Sequence, residues 1–285
     1  MADATIKHFV FIRFFNAQDP KYPHDIYDVD FLSKQLILVQ NNALKSLENQ
    51  TNKNFELVFI VNPKFLDDPK YEFIFSTLRN ATTLPLKFIN KNERAHLIKE
   101  ALNECDFVIE SRMDFDDFIF KDGIADTQSK IHDCNSILAY GYCLGYVYTD
   151  SELYIRKYRY KGIGHIAILQ SLILKSSFAK NLPFIGIHAK FSHIRIKEGI
   201  KSFLEENGIE FSEIMFQQNN STKAYIYFRH EFSHSRLTRS DKPQVNVPEI
   251  KPKLKPKPVT NKDGITKKQL EDEFGFTGYE LKSIK

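Results

Sequence analysis

From Ile6 to Ile109 the chain alternates short β-branched or aromatic runs with longer stretches whose apolar residues recur at helical spacing. That alternation suits a mostly parallel sheet with helices between its strands, and little else. Ile6–Phe14, Phe55–Val61, Leu86–Ile89 and Phe107–Ile109 are the predicted strands. Phe31–Glu48, Tyr71–Leu78 and Glu93–Glu104 are the predicted helices, the first carrying Leu32, Leu36, Val39 and Leu47 on its apolar side. The segment Glu110 to Asp117 follows the fourth strand and holds four acids: Glu110, Asp114, Asp116 and Asp117. Ligands of open α/β sheets bind beyond the carboxyl ends of the strands, so this acidic segment is predicted to lie in the crevice.

Further along, aromatic alternation over Ser136–Tyr148 and Leu153–Tyr160 predicts antiparallel strands added to the sheet. A helix over Ile166–Ser176, a strand over Pro183–Ile187, a helix over Ile194–Asn207 ended by Gly208, and a strand over Ala224–Arg229 complete a domain spanning 1–235. Residues 236–262 read as a linker, because Lys242–Lys262 holds five prolines and six lysines but one acid. In 263–285, capping boxes begin at Thr266 and Thr277, and Gly275 is placed to stop the first helix. This helical appendage is too small for a core of its own, so it is expected to dock on a partner protein or an anionic membrane surface.

Charge and cysteine content narrow the function classes. From Arg236 to Lys285 there are 12 basic residues against 7 acids, leaving 28 against 29 in the main body, so a basic nucleic-acid face is not indicated. Cys105, Cys134 and Cys143 are an odd number in a long chain, which points to reduced thiols and a cytoplasmic setting. The first residues carry an acid where a signal peptide wants cations, and the apolar run Ile163–Leu174 is too short to span a bilayer.

Asp114 and Asp116 form an Asp-x-Asp pair, and carboxylate oxygens suit the hard cations Mn²⁺ and Mg²⁺, which take one or two carboxylates plus substrate phosphates. The opening His8–Phe14, the segment Ser46–Thr51 before the second strand, and Ser111–Asp117 together resemble the rhamnosyltransferase-type glycosyltransferases, within the wider class of GT-A nucleotide-sugar transferases. The likeness spans about residues 6–235. It implies a GT-A-like, Rossmann-type mixed sheet flanked by helices, a nucleotide-sugar donor, and a glycan, lipid-linked saccharide or protein acceptor. Carried over, Asp114 and Asp116 hold the metal, with Asp117 beside them in the turn, and Arg13 and Arg112 join them at the donor. Phe115 departs from the pattern, which often has a polar residue between the acids.

Other motifs are weaker. His230, Glu231 and His234 match the zinc-peptidase spacing HExxH, but Ala224–Arg229 alternates as a strand and the motif needs a helix. The resemblance to the GT-A transferases, whose closing segment holds a histidine, implies His230 as a third metal ligand, with a zinc metallopeptidase and a non-catalytic sugar- or nucleotide-binding protein as rival readings. Gly162 to Ala167 fits a dinucleotide fingerprint without its strand or its acid. Asp150 and Glu152 are the best-placed carboxylates for an acceptor-side base. Tyr140, Tyr142, Tyr146 and Tyr148 suit sugar stacking or sheet packing, and His188 and His193 flank a loop.

Overall fold

The computed structural model describes residues 4–15, 25–149, 152–157, 168–182, 196–210, 214–228, 257–258 and 266–276. The alternation becomes β1 (Ile6–Phe14), α1 (Val29–Val39), α2 (Lys45–Glu48), β2 (Glu56–Val61), α3 (Pro63–Asp67), α4 (Glu72–Ala81), β3 (Leu86–Ile89), α5 (Arg94–Glu104) and β4 (Phe107–Asp114). A π-helical turn over Gln40–Leu44 joins α1 to α2, so the single helix expected there forms in three parts. Asp28 caps α1 by accepting the Phe31 N–H, and Asn62 caps α3 ahead of a proline in its first turn.

Strands β3, β2, β1 and β4 lie side by side in that order, all parallel. Their side chains divide by parity. Val10, Ile12, Phe14, Leu57, Phe59 and Val61 face a core with α1 and α4, while Phe9, Phe11, Val58 and Ile60 face a second core with α5. Helices on both faces are why these strands read as unbroken apolar runs.

The second half continues with β5 (Phe118–Ile119), α6 (Gly123–Ser129), β6 (Ile137–Thr149), β7 (Glu152–Lys157), β8 (Gln170–Lys175), α7 (Ser176–Ala179), α8 (Ile196–Glu206), β9 (Ile214–Phe228), β10 (Lys257–Pro258) and α9 (Lys267–Phe274). Among the described residues, all ten strands join one mixed sheet. The mixed α/β sheet flanked by helices that the resemblance implied is therefore present.

Three expectations change. Gln170–Lys175 is a strand rather than part of a helix, since it pairs antiparallel with β4 on one side and β6 on the other. Strand β4 runs on through Asp114, so Glu110 to Met113 lie inside the sheet and not beyond its edge. The last strand starts at Ile214, ten residues before the apolar Ala224–Phe228 stretch. The Pro183–Ile187 segment lies outside the described residues.

Gly145 sits on β6 where the pairing with β9 shifts register. A Cβ there would come within 2.5 Å of the Tyr225 ring, so only glycine lets that ring lie flat on the strand. Gly145→Ala is expected to lower stability by about 1–3 kcal/mol by overpacking, read as a drop in the thermal midpoint.

The tail helix α9 forms as its caps predict. Thr266 and Gln269 make the reciprocal capping box, and Gly275 ends the helix at φ 69°. Instead of standing apart, this segment is seated on the domain, with Phe274 and Phe276 buried among Leu38, Phe118, Tyr146, Ile226 and Phe228. The second expected helix, from Thr277, lies outside the described residues.

Candidate functional site

Connections from β1 lead through β2 to β3 on one side, whereas β4 returns to the other side of β1. The strand order therefore reverses between β1 and β4, and the crevice outside their carboxyl ends is where such sheets bind ligands. The β1–β4 register sets Arg13 beside Asp114 at that point. Arg13 Nη2 lies 3.1 Å from Asp114 Oδ1, and Arg112 Nη2 approaches the same oxygen at 3.8 Å. Three of the predicted residues thus meet. The Arg13 side chain is 44% exposed and free to face a ligand, whereas that of Arg112 is 9% exposed and lies beneath Asp114. Burial pulls the Arg112 guanidinium down from its ordinary value, and Asp114 opposes that shift.

The turn after Asp114 is held from several sides. Asn42 Nδ2 donates to the Asp116 carbonyl at 2.7 Å. The Phe115 ring packs 5.6 Å from both Phe14 and Phe15, which explains an apolar residue between two acids: it fastens the turn to the end of β1. Phe15 itself has φ 47°, a conformation uncommon for a bulky side chain and one that gathers near functional sites.

Asp116 is partly exposed, but Asp117 is fully buried and does not reach the crevice. Asp117 Oδ1 accepts the Phe228 N–H at 3.0 Å, and Oδ2 has no hydrogen-bond partner among the described residues. Burial, reinforced by the charges of Asp116 and Asp114, pushes the Asp117 carboxyl well above the usual carboxylate range. Its place is as a strut between the acidic turn and β9.

Among the described residues, no group of three or more His, Cys, Asp and Glu side chains is placed to hold a metal ion. Of the other predicted residues, Glu152 opens β7, paired in backbone register with Thr149. Asp150 and His230 lie outside the described residues, as do Glu231, His234, His188, His193 and Gly162 to Ala167. The tyrosines do sheet work. Tyr140 and Tyr142 both donate to Asp126 Oδ2, at 2.6 and 2.7 Å, and Tyr148 stacks on Phe228.

Sequence reasoning missed Arg94. It begins α5, is buried, pairs with the buried Glu110 of β4, and lies 4.2 Å over the Phe11 ring. The available signal was Glu110 itself, a charge in an apolar strand that had to find a cation.

A mixed α/β sheet whose order reverses beside an acidic turn and two arginines is an α/β fold of the kind that places its ligand crevice at that point. The sequence family described as "Putative rhamnosyl transferase" matches residues 22–224, and the chain belongs to that family. The match ends before His230.

Among solved structures, S. aureus TarS 1-349 in complex with UDP-GlcNAc is similar at 16% identity and TM-score 0.41, over 81% of this chain and 60% of that one. The same protein in complex with UDP is similar at 15% identity and TM-score 0.41, over 78% and 60%. A structure titled "putative nucleotide-diphospho-sugar transferase" from Desulfovibrio desulfuricans G20 is similar at 10% identity and TM-score 0.39, over 79% and 82%. This chain thus spans about 60% of the length of the S. aureus structure. No curated protein matches it.

Proposed function

We propose that the protein is a glycosyltransferase that moves a sugar, of the hexosyl or rhamnosyl kind, from a nucleoside-diphosphate donor to a hydroxyl acceptor. The observation that carries this reading is the Arg13–Asp114–Arg112 cluster at the point of strand reversal, in a chain of this family. Two carboxylates beside substrate phosphates suffice for Mn²⁺ or Mg²⁺. What supports such an ion is that Asp114 and Asp116 are both partly exposed where β4 ends, and that their negative charges raise the carboxyl of the buried Asp117. Asp114 and Asp116 would hold it, with His230 as a further ligand. When bound, the ion neutralises charge developing on the departing diphosphate.

Arg13 supplies a planar guanidinium suited to bidentate phosphate binding, and Arg112 orients the Asp114 carboxylate from below. An acceptor-side carboxylate, Asp150 or Glu152, would take the proton from the attacking hydroxyl. The acceptor is a glycan, a lipid-linked saccharide or a protein. Reaction in the cytoplasm, with the basic tail against an anionic membrane face, belongs to the same proposal. No helix among the described residues is long and apolar enough to cross a membrane.

Asp116→Asn is expected to weaken Mn²⁺-dependent donor binding by about 10–100-fold with the fold intact, as loss of an anionic ligand would. Asp114→Asn should act in the same direction. Calorimetric titration with a panel of nucleotide sugars, with and without Mn²⁺, decides the matter. Unchanged affinity in both variants would remove the metal from the reading.

A further inference from the structure

Resting on the donor-site reading, we propose that the C-terminal segment Thr266–Phe276 is a brace for the acidic turn, with Phe276 as its positioning residue. Two routes lead from the turn to this segment. Through the chain, Asp117 is followed directly by Phe118 of β5, whose ring meets Phe276 edge-on at 5.1 Å. Through space, Asp117 accepts the Phe228 N–H, Phe228 stacks on Tyr148 at 5.3 Å, and Tyr148 meets Phe276 at 5.1 Å. Both anchors of Asp117 therefore rest on one ring.

Phe115 ties the turn to the same place. It packs against the cluster to which Phe274 and Phe276 belong, so the apolar residue between Asp114 and Asp116 borders the tail's cluster as well as the end of β1. Backbone contacts lock the position. Lys121 N–H donates to the Glu273 carbonyl at 2.7 Å, while the Lys121 carbonyl accepts the Thr51 N–H at 2.8 Å, and Asn49 Nδ2 donates to the Asp272 carbonyl. A carboxylate pair that must hold an ion cannot tolerate a loose turn, because small displacements of positioned groups cost much of their effect. A tail of purely bulk stability would need none of this convergence on Asp114 to Asp117.

The test sets Phe276→Ala against Phe75→Ala, which removes a buried ring of α4 in the other half of the domain. Deuterium uptake is read across residues 114–121, alongside Mn²⁺-dependent binding of the donor found for the wild type. Phe276→Ala should raise uptake at 114–121 and weaken donor binding by about tenfold or more, Phe276→Leu should restore much of both, and Phe75→Ala should do neither. Unaltered uptake at 114–121 in a folded Phe276→Ala protein would overturn the proposal.

If Phe276→Ala does not fold, wild-type exchange in graded urea answers the same question. Residues 266–276 and 114–121 should then open as one unit, and separate opening would overturn the proposal. The exchange readout needs no donor, so a wild type that binds no nucleotide sugar would sink the transferase reading and leave the brace to be judged on exchange alone.

Discussion

Glu110→Leu is expected to destabilise the protein by about 3–5 kcal/mol, the loss seen when one partner of a buried ion pair is removed. Glu110 is fully buried in β4 and Arg94 is 5% exposed. Burial and the charges of Arg112 and Arg13 press the Arg94 guanidinium down to about 9, so it remains a cation at neutral pH. Without Glu110 that charge would stay buried near two other arginines and lose the carboxylate it is paired with. The pair itself is an uneven bargain, because Arg94 Nε and Glu110 Oε2 find no hydrogen bond among the described residues.

The double replacement Arg94→Met with Glu110→Leu should therefore come within about 1 kcal/mol of the wild type or exceed it. Urea midpoints at a common slope measure both proteins. A double variant as unstable as the single would show that the two charges do not act as a pair.

The parallel half of the fold was legible because its strands are apolar on both faces and its helices on one, so both periods stand out in the sequence. Thr266 and Gly275 were legible for a local reason, since a cap is chemistry among near neighbours. Gln170–Lys175 was not. Ile168, Leu169, Leu172 and Ile173 are spaced like one helical face, and only pairing with β4 and β6 makes the segment a strand.

The site divides along the same line. Asp114 and Arg13 could be selected by type and position, but the register that joins them is a property of the sheet. The burial of Asp117 was not legible, as nothing in its neighbours announces that Phe228, far along the chain, claims its carboxyl. Arg94 and His8 were missed because their partners, Glu110 and Gln128, lie on other elements.

His8 is the second residue with a large expected effect, and it acts through pH. It is 1% exposed on β1, and burial pulls its imidazole from 6.5 to about 3. Its neighbours are ordered for the neutral ring. Gln128 Nε2 donates to the Asn54 carbonyl at 2.7 Å while Gln128 Oε1 accepts from Asn52 at 2.9 Å, which fixes the amide with its donor towards His8 Nδ1 at 3.2 Å. Nδ1 is thus an acceptor, so Nε2 carries the proton and donates to Ser111 Oγ at 2.8 Å. Ser111 in turn donates its hydroxyl hydrogen bond to Ser171 at 2.6 Å, and Ser171 donates to the Leu169 carbonyl at 3.0 Å. A second proton on the ring would set an N–H against the Gln128 amide donor.

Between about pH 6.5 and about 3 the unfolded chain binds a proton at His8 that the folded chain refuses. The stability it contributes is fully present above pH 6.5 and is lost as pH falls through that window, at about 1.4 kcal/mol per pH unit. Carboxylates add their own acid losses, so the measurement is a difference. From pH 6.5 to 4.5 the unfolding free energy of the wild type should fall by about 2–3 kcal/mol more than that of His8→Gln, whose amide does not titrate. Parallel pH profiles for the two proteins would mean that His8 takes up its proton in the folded state as readily as in the unfolded chain, and the Gln128 amide would then have to turn its oxygen rather than its nitrogen towards Nδ1.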